Sequence, residues 1–196
     1  WCCLVGSEMC IRDRSNPASV VKLVQQARLN GRIVRTALTK EAWQAINNLW
    51  LALEKSLKRP VNARDLPQIL SQVRQGNELV RGALDGTMLR NDIFNFIQLG
   101  TLIERGDNTA RLIYARHFLF SPSPSVLHQK NGLAHWDMVM SAIGARRAYN
   151  WLHKGRMEGP RVLNFLIADQ RMPRSLIYCY TNIVRQVDAL EKAYGC

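Results

Sequence analysis

Glu104, Asp107 and Arg111, with Gly100 one turn ahead of them, are the residues whose types and spacing best suit chemistry. At about 100° per residue the four line one flank of a helix: two carboxylates, a guanidinium and a glycine that leaves room beside them. Such a strip can be a solvated ion pair, since an acid four residues before a base is the favourable order on a helix. It can instead be a half-buried polar network, its acids clamped by arginines of neighbouring helices such as Arg28, Arg32 or Arg35. A third reading is a ligand site, with a carboxylate for proton transfer and a guanidinium to hold an anion. The half-buried network is the expectation, because the strip borders an apolar arc. Arg105 is expected on the far side of the helix, near Gln98 and Arg116.

Other chemistry finds less support. Carboxylate-bridged di-iron bundles need a Glu with a His three residues later, and no Glu in the chain has one. Of His117, His128, His135 and His153, only His128 and His135 are at helical spacing, and His128 falls in an expected loop. The histidines are read as surface or capping groups, and neither a metal nor a cofactor is expected. Cys179 falls on the apolar side of a helix and reads as a packed thiol rather than a nucleophile. There is no Gly-x-Ser-x-Gly elbow and no Gly-x-x-x-x-Gly-Lys phosphate loop. No residue is assigned a catalytic role.

The element that must position the strip runs from about residue 90 to 120, some thirty residues without proline, or about 45 Å of helix. Phe96, Leu99, Leu102, Ile103, Gly106, Ala110, Ile113 and Tyr114 share one apolar arc of it. Upstream, Ser15-Asn16-Pro17 reads as a helix start. Gly31 interrupts that helix, which Ile33, Val34, Ala37 and Leu38 resume. Thr39 caps a second helix through Leu57, and Asp65 a third in which Gly76 and Gly82 are weak points and Gly86 marks the end. Downstream, Ser121-Pro-Ser-Pro-Ser125 stops the long helix and opens a loop to residue 132. A helix over 133–152, a short one from Gly159-Pro160 to Ala168 and a last one from Leu176 follow. Trp43, Trp50, Trp136, Trp151 and Tyr149 are expected in the core. No strand alternation persists, so the fold is all-α, a helical bundle around the long central helix.

The totals fit one helical domain. Of 196 residues, 47% are hydrophobic and 21% charged, the mixture of a soluble globular chain. No uninterrupted apolar run reaches the roughly 18 residues of a membrane span. The net charge is +12, but the basic residues are scattered with no run longer than a pair such as Arg146-Arg147. A nucleic-acid groove is therefore not implied, and nucleic acid remains a third-ranked partner. Residues 1–14 continue no later pattern and resemble translated adapter read-through. Arg12 and Arg14 cancel Glu8 and Asp13, so the charge is unchanged without them. Setting them aside leaves Cys179 and Cys196, too few for a disulfide framework, and a reducing cytoplasm is expected. The last helix is still amphipathic at Cys196. The expectation is a single domain over 15–196, truncated at both ends.

A family resemblance joins these pieces. Phe96-x-x-Leu99-Gly100-x-x-x-Glu104-Arg105-x-Asp107-x-Thr109-x-Arg111-Leu112 resembles the signature of the bacterial alpha-E domain family, named for its helices and its Glu-Arg motif. In the family's order come Ala27-Arg28-x-Asn30-Gly31-Arg32 with Trp43-x-Ala45-Ile46-Asn47, then Trp136 with Gly144-Ala145-x-x-Ala148-Tyr149. Last is Val162-x-x-Phe165-Leu166-x-x-Asp169-x-x-x-Pro173-Arg174-Ser175 with Cys179. The resemblance covers about residues 15–194. It departs at Leu29, where members carry Glu, and at an earlier Glu-Arg helix that is absent. It implies an all-helical protein acting beside ATP-grasp ligase-like or transglutaminase-like proteins in peptide synthesis or modification. A non-catalytic binding module is the first hypothesis and an enzyme using Glu104, Asp107 and Arg111 the second.

Overall fold

The computed structural model describes residues 16, 19–59, 61–119, 128–154 and 157–195, with the backbone alone for 116–119 and 128–133. Among the described residues the secondary structure is helical throughout. Residues 1–14, Ser15, Pro17 and the loop from Ser121 to Ser125 lie outside them.

They divide into two compact units, separating at Arg90 and Asn91. The first holds α1 (Val20–Ile33), α2 (Lys40–Ser56) and α3 (Leu66–Thr87). Ser19 caps α1 by accepting from the Lys22 N–H, and Thr39 caps α2 by accepting from Ala42. These side-chain oxygens satisfy amides that a helix start leaves without an intrahelical acceptor. Asp65 sits at the N-cap position of α3 without capping it. Its carboxylate turns back to accept the Asn62 N–H at 3.1 Å. The helix expected to resume after Gly31 ends at Ile33, and a single 3₁₀ turn, Arg35–Ala37, leads to α2.

α3 runs unbroken through Gly76. A Cβ there would lie 2.5 Å from Leu49 Cδ1, so the missing side chain is what lets α2 and α3 close on each other. Val21, Val24, Trp50, Leu53, Val61, Leu66 and Ile69 fill the core beneath them. Burying a side chain of the size of Leu53 contributes roughly 1.5–3 kcal/mol.

The second unit holds α4 (Asp92–Leu119), α5 (His128–Ala142), α6 (Arg146–His153), α7 (Gly159–Ala168) and α8 (Leu176–Tyr194). One helix was expected over 133–152. Instead α5 begins at His128, inside the expected loop, and the chain breaks at Gly144, whose φ of +65° is a conformation L side chains resist. Tyr149, fully buried, meets Phe165 edge-to-face at 5.5 Å. Trp136, Met140, Ile143, Val162, Leu166 and Met172 complete this core. Trp151, expected inside, is 80% exposed. The long helix α4 packs lengthwise on α8, and residue numbers along the pair run in opposite senses: Thr109 meets Arg174 and Asp92 meets Tyr194.

Candidate functional site

The face of α4 that meets α8 is not the one expected from its apolar arc. Phe94, Leu102 and Thr109 are its buried residues, whereas Phe96, Ile103, Ala110 and Tyr114 are exposed. The helix is turned by about a quarter-turn relative to the expectation. An all-apolar arc loses to a face that mixes Leu102 with the polar Arg105 and Thr109, because that face answers exposed carbonyls on the opposing turn.

Those carbonyls belong to Pro173 and Arg174, at the entry to α8. The Thr109 hydroxyl, 1% exposed, lies 2.8 Å from the Arg174 carbonyl and 3.1 Å from that of Arg105 one turn back. Its single proton serves these two acceptors. Arg105 Nη1 donates to the Pro173 carbonyl at 3.2 Å. Arg105 therefore does not point to the far side of the helix: it reaches the turn before α8. There Ser175 does two jobs. Its Oγ donates to the Asp169 carbonyl at 2.7 Å and accepts the Tyr178 N–H at 3.1 Å, capping α8. Asp169 holds Arg171 at 2.7 Å. That bond keeps the Asp169 carboxyl below its ordinary range, against a desolvation that pushes the other way.

Cys179, one turn into α8, completes the seam. A Cβ on Gly106 would sit 3.5 Å from Cys179 Cβ, an ordinary contact distance, so the helices pass closely at this point without requiring glycine. The thiol is 1% exposed and points to the Pro173 carbonyl at 3.8 Å. Burial pushes its pKa up, while the charges of Arg105 and Arg174 pull it down. A thiol buried in this way packs between the two helices.

The strip of Gly100, Glu104, Asp107 and Arg111 lies on the other side of α4 and is exposed along its length. Nothing approaches within 4 Å of a Cβ on Gly100. Arg111 Nε donates to Asp107 Oδ2 at 2.6 Å, and this bond raises the guanidinium pKa, with Glu104 adding to it electrostatically. With Arg111 76% exposed and Asp107 46%, this is the solvated ion pair. The half-buried network expected here is overturned, since water rather than protein surrounds the charges. The arginines expected to clamp the strip have partners within the first unit: Arg28 Nε donates to Asn47 Oδ1 at 2.9 Å and Arg35 lies over the Trp43 ring at 5.2 Å. Arg32 ends α1 as an exposed residue of its last turn.

The described residues contain no group of three or more His, Cys, Asp or Glu able to hold a metal. His153 stacks obliquely on Tyr149, ring centres 4.5 Å apart, so it joins the aromatic core rather than a ligand set. The side chains of His117 and His128 lie outside the description. A polar crevice of about 680 Å³ runs along the first turns of α3, lined by Ser56, Asn62, Asp65, Gln68 and Gln72 among others. It contains none of the candidate site residues Gly100, Glu104, Arg105, Asp107, Arg111, Arg28 and Arg32. No described helix is long and apolar enough to cross a membrane.

What sequence reasoning missed was the contact between two quoted blocks. Thr109, Pro173, Arg174 and Ser175 all stand in the recognised motifs, yet periodicity alone gives no pairing between them. The available signal was Leu102, Arg105 and Thr109 at i, i+3 and i+7, a second face with a hydroxyl in mid-helix.

Comparison with known proteins agrees with the residue blocks. Residues 6–195 match the family model Alpha-E, described as a predicted alpha-helical domain with a conserved ER motif. The matched range reaches back into residues 6–14, which were expected to be non-native because they continue no later pattern and resemble adapter read-through. An uncharacterized protein of Mycobacterium bovis is 22% identical over 170 residues, and two uncharacterized proteins from strains of Mycobacterium tuberculosis share the same identity over the same length. The match takes in 85% of this chain but 19% of each relative, so the chain spans about one fifth of the length of those proteins. No solved structure matches.

Proposed function

The chain belongs to the Alpha-E family, and from that premise we propose that it is a non-catalytic helical module serving a peptide-synthesis or peptide-modification system. In this reading it binds or scaffolds an ATP-grasp ligase-like or transglutaminase-like protein, or the peptide that protein makes. One observation carries the proposal. The Arg of the Glu-Arg motif is spent on the Pro173 carbonyl at 3.2 Å, and the acids beside it stand in water with Asp107 committed to Arg111. General acid–base work needs a group held at hydrogen-bond reach of a substrate in a site that restrains both, and this strip supplies no walls.

Support also comes from the mycobacterial relatives, in which the matching stretch is a fifth of a far longer chain. The test is purification of a family member together with an ATP-grasp protein encoded beside it. The expected result is a complex, or a change in ligase turnover on adding the helical protein. Failure of both would sink the proposal. An activity abolished by Glu104→Gln with the melting temperature intact would replace it with the enzymatic reading.

A further inference from the structure

The crevice beside α3 has the size and the groups of a ligand site. Its volume, about 680 Å³, falls within the roughly 300–1,000 Å³ of small-molecule sites. One wall is a ladder of carboxamides. Gln68, Gln72 and Gln75 stand at i, i+4 and i+7 of α3, which is one face of a helix, and together rise about 10 Å along its axis. The facing wall comes from the end of α2 and the segment after it, with Ser56, Arg59 and Asn62. Val61 and Ile69, both buried, supply the apolar part of the lining.

Part of this lining is fixed and part is uncommitted. The Ser56 hydroxyl donates to Gln72 Oε1 at 2.8 Å and lies 3.1 Å from the Ala52 carbonyl. Gln72 is thus held by its oxygen, and its NH2 makes no hydrogen bond among the described residues. Gln68, Gln75 and Arg59 make no side-chain hydrogen bond or ion pair among the described residues either. Asp65 accepts the Asn62 N–H through Oδ2 at 3.1 Å, which leaves its second oxygen for another donor.

A carboxamide carries an acceptor oxygen and two donor hydrogens, the same groups as a peptide bond, so each Gln can pair with a main-chain amide in both senses. A ladder of about 10 Å matches about three residues of extended chain at about 3.3 Å each. Arg59 and Asp65 add one cation and one anion, partners for the terminal carboxylate and ammonium of a short free peptide. The lining is therefore neutral on a chain of net charge +12, which does not suit a phosphate-rich ligand. Among the described residues no aromatic ring lines the crevice, so a nucleobase finds no stacking surface. We propose that this crevice binds a short extended peptide with free termini, held through its main chain rather than its side chains. This deepens the peptide-system reading above and rests on it for the source of the ligand, not for its chemistry.

The probe is trialanine, titrated against the whole chain by ligand-observed NMR beside its C-terminal amide, its N-acetyl form and maltotriose. The expected result is saturable binding of trialanine, weakened about ten-fold by amidation and about ten-fold by acetylation, with no binding of maltotriose. Gln68→Ala with Gln75→Ala weakens it by about ten-fold or more; both side chains are exposed, so the fold is not at stake. Arg59→Gln lowers trialanine to the level of the amide and leaves the amide's own binding unchanged, a pattern that loss of fold does not produce. Asp65→Asn does the same for the acetyl form. Absence of saturable binding, equal binding of the free and amidated peptides, maltotriose binding as tightly as trialanine, or a double-Ala variant that binds as before would each overturn the proposal. No ligase enters this titration. A chain that binds trialanine but forms no complex with the ATP-grasp protein keeps this site and loses the scaffolding role, and the converse result loses this site alone.

Discussion

Arg105 and Glu104 are neighbours in sequence and opposites in circumstance. On one side of α4, Arg105 and Thr109 answer two carbonyls of the turn before α8; on the other, Glu104, Asp107 and Arg111 face water. The difference teaches that a charged motif on a helix can divide its labour by direction. A hydroxyl with 1% exposure matters more to the fold than three charges, because an unanswered buried polar group costs its full desolvation whereas solvated charges already have water.

The sharpest way to break this comparison is Thr109→Val, which keeps the shape and removes the hydroxyl. The Arg174 carbonyl then loses its partner at the seam, and the expected loss is about 1–3 kcal/mol in urea unfolding. A change below a few tenths would mean that the seam does not need the bond. Ser175→Ala comes next, at about 0.5–2 kcal/mol, since it removes the α8 cap and the bond to the Asp169 carbonyl together. Gly100→Ala tests the open side and should act in the opposite direction, raising stability by up to about 1 kcal/mol, because space around Gly100 is free. Destabilisation there would show that the open side is occupied in solution.

Two smaller effects sharpen the picture through charge. Asp169 has a lowered carboxyl pKa because Arg171 bonds its ionised form. A group depressed in the folded state contributes stability above the ordinary carboxylate value of about 3.9. That contribution is lost as pH falls through the lowered native value. Denaturation midpoints should therefore drop on acidification below about pH 4, and less so in Asp169→Asn. Smallest of all is Asp107→Asn: a slight fall in melting temperature at low salt, erased at about 0.5 M salt, where screening reaches only a few ångströms. A loss that survives salt would return the strip to a buried role.

Periodicity, caps and composition made much of the architecture legible. Thr39 and Ser175 cap the helices they precede, Gly159-Pro160 opens α7, and no strand interrupts the described residues. Those signals act within a few residues, through backbone amides and side-chain spacing, so a chain carries them before it folds. The family blocks were legible too, and the family match bears them out.

What only the tertiary structure decided was the rotation of α4 about its own axis. The sequence offers two seams on that helix, an apolar one through Phe96, Leu99 and Ile103 and a mixed one through Leu102, Arg105 and Thr109. Hydrophobic spacing favours the first. The second is the one in contact with α8, where Arg105 and Thr109 donate to the Pro173 and Arg174 carbonyls, more than sixty residues away. Local pattern ranks the faces of a helix by their oil; the partner ranks them by which groups would otherwise go unanswered.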